Sequence, residues 1–362
     1  MAAPRAQLGD LQSRFSEPLR SVSLLATDEP TQPGTLPHAL QDLVHLVHHT
    51  EPQGRQQEFP LEADPLYQYT YDALLISFLA KRAEYRRFSV AAVHAGVEAL
   101  NAVVRNEIHT AGSALPDYKV LRLCCSWLSP TALVRHQNTL YVASRGTRSL
   151  LDVMTDVSIR LRRVVTNDRL PQPARVHAGF RRALRGQVQA VMAMIEHEPR
   201  ELNVVFCGHS LGGAVAQLLG LAYAHERRRT GMPAYVSTVI SFGCPRIGDA
   251  DLGGHLDGLI NHRRLFVEGD PIAAVPSHTV VELRFFGRVA TRYAPHTARE
   301  HWQLPPTGCA ERTNDATAPT AASVSAVRRV ARHALTTYAA RLAEHRGASR
   351  TAWNAQRRRE RG

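Results

Sequence analysis

The apolar run Leu-Asn-Val-Val-Phe-Cys at 202 to 207 leads without a spacer into Gly208-His209-Ser210-Leu211-Gly212-Gly213, and this junction restricts the fold more than any other stretch. A run so short and apolar suits a buried central strand, and the residues from Leu211 to about Arg228 suit a helix. A serine held between strand and helix must turn sharply to expose its Oγ, and small residues two positions to either side let the backbone close that turn. Gly208 and Gly212 supply the room, while Gly213 and Ala214 let the helix lie close to the sheet. The open amides at the helix N-terminus then point to where an attacked carbonyl oxygen gathers negative charge. Ser210 is therefore the candidate nucleophile, and the Leu211 amide is the first candidate oxyanion donor.

Elements of both kinds alternate around this junction. Helical spacing runs from Tyr71 to Arg87 and from Val90 to Arg105. Residues 120 to 144 then read as successive strands, VLRLCCSWL, ALVR and TLYVAS, split by Ser-Pro and His-Gln-Asn. A helix is expected from Phe180 to His197, and further strands at Val236 to Phe242 and Leu265 to Val267. The alternation predicts an α/β fold around a mostly parallel central sheet flanked by helices. Residues 1–60, rich in Pro, Gln and His, read as a poorly ordered extension. The catalytic domain is expected over 61–346, with a helical stretch ending near His345, and the Arg-rich end at 347–362 as a disordered basic tail.

Composition narrows the function. With 44% hydrophobic and 21% charged residues the chain suits a globular protein. Its net charge of +12 raises nucleic acid or an anionic membrane as partners. Only Lys81 and Lys119 are lysines, so nearly all of the positive charge is arginine, read here as spread along the chain, and no nucleic-acid recognition motif accompanies it. The five cysteines show neither CxxC nor metal-ligand spacing. His45, His48 and His49 have helical spacing but no Cys, Asp or Glu beside them, which reads as a solvated face. No metal or organic cofactor is expected. MAAPRAQLGDLQSRF has no apolar core of the signal-peptide kind and no stretch is apolar enough to span a membrane, so an intracellular protein, cytoplasmic or peripherally membrane-associated, is expected.

Serine needs a base oriented by a third group. Asp270 follows the expected strand and precedes Pro271, which puts a carboxylate at the carboxyl end of a strand, where sites on open α/β sheets form. Asp249, Asp251 and Asp257 compete, but stand in a Gly-rich polar stretch that reads as an exposed turn. Chain order puts the base later, at His278, His296, His301 or His333.

Several blocks in order resemble the class 3 (fungal-type) lipase family, within the α/β-hydrolase superfamily. They are SRGT at Ser144 to Thr147 with Asp152 and Asp156 after it, VHAGF at Val176 to Phe180, GHSLGG, SFGCPRIGD at Ser241 to Asp249, and GDPIAAVPS at Gly269 to Ser277. The resemblance covers roughly residues 120 to 345 and implies an α/β-hydrolase fold. It matches Asp270 to the family's acid and His333 to its catalytic histidine, which stands shortly before an aromatic residue in a C-terminal helix. His296, in PHTAREHW, corresponds to a histidine of structural role. Thr147 is implied as the second oxyanion donor beside Leu211. Ser144 and Val153 depart from an apolar or aromatic residue and a Trp usual in the family, which touches packing and lid geometry.

The function expected is a serine esterase or lipase acting on acylglycerol or phospholipid-like esters through an acyl-enzyme on Ser210. The alternative is a catalytically silent lipase-like module that binds lipid or protein. The segment Val157 to Arg175, which mixes apolar residues with Arg160, Arg162, Arg163 and Arg169, is expected to border the substrate entrance and to favour anionic interfaces.

Overall fold

A computed structural model describes residues 40–41, 67–82, 90–108, 118–126, 129–146, 160–231, 237–276, 279–284, 287–293, 300–304, 311–313 and 332–344. Almost all of the 1–60 extension, including His45, His48 and His49, the helical run at 324–330 and the basic tail lie outside the described residues.

The sheet explains how the rest is arranged. β1 (Lys119–Cys124), β2 (Thr131–His136) and β3 (Thr139–Ser144) form an antiparallel meander. β3 then pairs in parallel with β6 (Asn203–His209), β6 with β7 (Ser237–Phe242), and β7 with β8 (Ile260–Val267). A short ribbon, β4 (Leu161–Arg163) with β5 (Arg175–His177), stands outside this sheet. So does the hairpin of β9 (Thr279–Arg284) and β10 (Gly287–Arg292). β11 (Glu300–Leu304) runs parallel to β8, and β12 (Glu311–Thr313) closes the sheet antiparallel to β11. The order is β1-β2-β3-β6-β7-β8-β11-β12. β11 was not expected, since its Glu, His and Gln break any apolar run.

Two helical layers cover the sheet. On one face α1 (Tyr67–Arg82) and α2 (Val90–Val103) share a core with residues 335–344, here α7, through Leu74, Ile76, Val205, Leu265 and Leu342. Asp72 fixes α1 there, accepting from Tyr118 Oη at 2.5 Å and Tyr141 Oη at 2.8 Å. On the other face lie α3 (Ala178–Arg185), α4 (Val188–Glu196), α5 (Leu211–Arg229) and α6 (Ala250–Leu259), packed around Phe180, Val191, Phe206, Leu218, Val239 and Leu252. This is the α/β-hydrolase fold.

Three expectations are corrected. The first helix, Tyr67–Arg82, already includes four residues ahead of Tyr71, and residues 83–87 lie outside the described residues. The helix over 180 to 197 is two helices, because Gln187 turns inward. Its Oε1 accepts from Thr131 Oγ1 at 2.6 Å and its Nε2 donates to the Ala183 carbonyl, drawing its backbone out of helical geometry. The stretch with Asp249, Asp251 and Asp257 is not an exposed turn. Asp249 caps α6 by accepting from the Leu252 amide at 3.1 Å, and Leu252 and Leu256 are buried.

Candidate active site

All three central parallel strands, β6, β7 and β8, end at one edge, and the candidate residues follow those ends. Ser210 stands between β6 and α5 at φ +63° and ψ −128°, a strained conformation for a residue with a side chain. The turn is fixed by its own bonds: Ser210 N donates to the Phe242 carbonyl at 2.9 Å, and the Gly213 amide donates to the Ser210 carbonyl at 3.0 Å. A Cβ on Gly208 would strike the backbone of Gly212, and one on Gly212 would strike the Ser144 carbonyl. The loop after β3 thus lies directly on the elbow.

His333 sits in a turn just ahead of α7, and its Nε2 is 2.8 Å from Ser210 Oγ. Its Nδ1 lies 2.8 Å from Asp270 Oδ2 and 3.0 Å from Oδ1. Asp270 Oδ1 also accepts the Ile272 amide at 2.8 Å, and Tyr338 Oη donates to Oδ2 at 2.6 Å. Burial, with Asp270 beside it, holds the Tyr338 phenol well above its usual range, so it stays a donor. The three residues expected from sequence are therefore brought into one hydrogen-bonded chain. The Leu211 amide opens α5 beside them. Thr147, like Asp152, Val153 and Asp156, lies outside the described residues, although neighbouring Gly146 is within reach of the elbow: a Cβ there would be 2.8 Å from the His209 carbonyl oxygen. Of the rival histidines, His301 is on β11 and His278 and His296 lie outside the described residues.

Residues 141–280 match the sequence profile of the family described as Lipase (class 3). Across that segment the chain is similar to the class 3 lipase family. Lipases of Rhizopus niveus and Rhizopus oryzae are each 30% identical to it over 172 residues, 45% of this chain and 42% of theirs. The match thus spans less than half the length of these curated relatives. Among solved structures, the triacylglyceride lipase of Rhizomucor miehei is 20% identical with a TM-score of 0.46, covering 66% of this chain and 80% of that one. Ser210 and Asp270 fall inside the matched segment, and His333 falls beyond it.

Four residues of this candidate site are absent from the sequence reading or only hinted at in it. Tyr338 is the aromatic residue after His333. His209, the residue before the serine, donates from Nε2 to the His333 carbonyl at 2.7 Å, with its ring 4.5 Å from the His333 ring. Burial pushes the His209 imidazole well below its usual pKa, with His333 and Lys81 adding to the effect, so it is neutral. Arg264 is fully buried and donates to the Ala273 carbonyl at 3.0 Å. Arg246 donates to the carbonyls of Ala274 and Pro276. The two guanidinium groups so grip the segment just after Asp270. Burial lowers the Arg264 pKa to about 10.

Cysteine is no rival nucleophile here. Burial pushes the thiols of Cys207 and Cys244 up to about 12, which leaves both protonated at neutral pH. Among the described residues no group of three or more His, Cys, Asp or Glu is arranged to hold a metal ion.

Proposed function

We propose that the protein is a serine carboxylic ester hydrolase acting on lipid esters, with Ser210 as nucleophile, His333 as base and Asp270 as its orienting acid. The single observation that carries this reading is the unbroken run of contacts from Ser210 Oγ through the His333 ring to the Asp270 carboxylate. His333 Nε2 takes the proton as Ser210 Oγ attacks the acyl carbonyl. The oxyanion is met by the Leu211 amide and, by the family resemblance, Thr147. The protonated His333 returns the proton to the departing alkoxide, leaving an acyl-enzyme. Water then attacks the acyl group by the same route, and the acid is released. Acylglycerols and the sn-1 ester of phospholipids are the substrate classes that fit, since the Rhizopus relatives are named lipases. Peripheral contact with an anionic membrane surface belongs to the same reading.

The test is labelling by a fluorophosphonate probe, which should be present in the wild type and absent in Ser210→Ala. A well-folded wild type that takes no label would point instead to a silent lipase-like binding module. A panel of esters differing in chain length and head group then ranks the substrates.

A further inference from the structure

The net charge of the chain is concentrated. Residues 160 to 185 carry eight arginines and a single acidic residue, Asp168, which accounts for seven of the twelve net positive charges. Asp168 is itself buried and held by Arg181 at 2.7 Å and Arg185 at 2.9 Å. Arg162, Arg163 and Arg175 are exposed, and among the described residues no carboxylate lies in salt-bridge reach of them. Arg163 and Arg175 are direct partners across the β4–β5 ribbon. Like charges placed directly opposite on a two-stranded ribbon repel, so this pairing costs stability unless an anion lies over it.

An apolar side chain stands among these charges. Val165, two residues past Arg163, is 40% exposed and is the one large apolar side chain among the described residues that is exposed. The ribbon is also fastened to the segment that leads away from the site. The Asp249 amide donates to the Arg175 carbonyl at 3.1 Å, the His177 amide donates to the Ile247 carbonyl at 2.8 Å, and Val176 bridges Gly248. The segment 243–249 that receives these bonds begins at Gly243, where a Cβ would lie 2.8 Å from Asp270 Oδ2.

We infer that the β4–β5 ribbon, through Arg162, Arg163, Arg175 and Val165, docks the protein on an anionic lipid surface with the Ser210 edge turned toward it. Arginine beside exposed apolar surface matches the headgroup boundary of a bilayer, where phosphate faces the guanidinium and the apolar side chain enters the acyl region. A polynucleotide would use the charge and leave Val165 without a role. The choice of a lipid surface rests on the ester-hydrolase reading above, but the docking needs no turnover.

Binding is therefore read on the full chain carrying Ser210→Ala, by sedimentation with vesicles of phosphatidylcholine alone and of phosphatidylcholine with phosphatidylglycerol in equal parts. Binding to the anionic vesicles should be at least about tenfold tighter and should weaken steeply with salt. Arg162→Gln, Arg163→Gln and Arg175→Gln together should weaken it about 100-fold, since each basic residue near an anionic surface contributes about fivefold. Val165→Ser should weaken binding to both vesicle types a few-fold. Equal binding to the two vesicle types overturns the inference even if the triple variant fails to fold. So does a folded triple variant, by circular dichroism, that binds like its parent. A triple variant that loses a single-stranded polynucleotide but keeps the vesicles would reassign the face to polyanions. Failure of the hydrolase reading shows separately, as wild type that takes no fluorophosphonate label.

Discussion

At φ +55° Gly243 lies in the left-handed region, and a Cβ there would stand 2.7 Å from Tyr338 Oη and 2.8 Å from Asp270 Oδ2. Gly243→Ala therefore has two costs, one in backbone strain and one in displacing the group that orients His333. It is expected to lower kcat on a soluble ester by on the order of 10²-fold with a smaller change in KM, since misplacement near the reacting atoms acts on the barrier. Steady-state kinetics on folded protein checks this, and wild-type kcat would show that the loop yields freely. Tyr338→Phe removes one charge-assisted bond to Asp270, worth about 1.5–3 kcal/mol. A loss in kcat of roughly 10- to 100-fold is expected if that bond serves the reaction. As members of the candidate site, Ser210 and Asp270 were legible in the sequence because each is announced locally, by small residues around a strand end or by a carboxylate just past one. His333 was legible only through family resemblance, because the contact that selects it crosses 123 residues. Gly243 gave no local signal at all, for its constraint comes from two side chains far along the chain.

Asp270 belongs to the segment after β8, and the two buried arginines hold that segment by its carbonyls alone. Arg264 donates to Ala273, while its Nε and Nη1 find no hydrogen-bond partner among the described residues. A buried charge so incompletely served contributes little net stability, and replacing it by an apolar side chain of similar length is often neutral. Arg264→Met is accordingly expected to move the thermal midpoint by no more than about 3 °C while kcat falls about tenfold, because the segment carrying Asp270 loses its tether. A melt and a rate measured on one preparation decide this, and a parallel fall in both would make Arg264 a plain core residue. At this scale the sequence misled where periodicity continued through a break. The apolar spacing runs across Gly186 and Gln187, and only the bond from Thr131 in a distant strand shows why the helix stops. Around Asp249 three glycines hid a helix, although Leu252 and Leu256 already had its spacing.

Over the whole molecule, acid should act through histidines buried in neutral form. Burial lowers the His177 pKa to about 4 and pushes His209 well below its usual range, whereas both titrate near 6.5 once unfolded. Between those values the unfolded chain binds more protons, so stability is full above about pH 6.5 and is lost as pH falls toward 4. His177 alone should account for about 3 kcal/mol of that loss. Denaturation by urea at pH 7 and pH 4.5 measures it, and His177→Gln should flatten the dependence. An unaltered slope would assign the acid sensitivity elsewhere. The parallel sheet and its layers were foreseeable from alternating strand and helix signals, but the arginine concentration at 160 to 185 was present in the sequence and read there as diffuse. It became meaningful once the ribbon was seen fastened to residues 247–249, in the segment that begins beside Asp270. The return of residue 333 to the elbow also sets an order of events during synthesis. A chain that has left the ribosome only as far as β12 already owns its nucleophile and its carboxylate, yet has no imidazole between them. On the proposed reading, the catalytic chain of contacts is completed only when His333 and α7 have been made, so a chain halted at β12 would be inert.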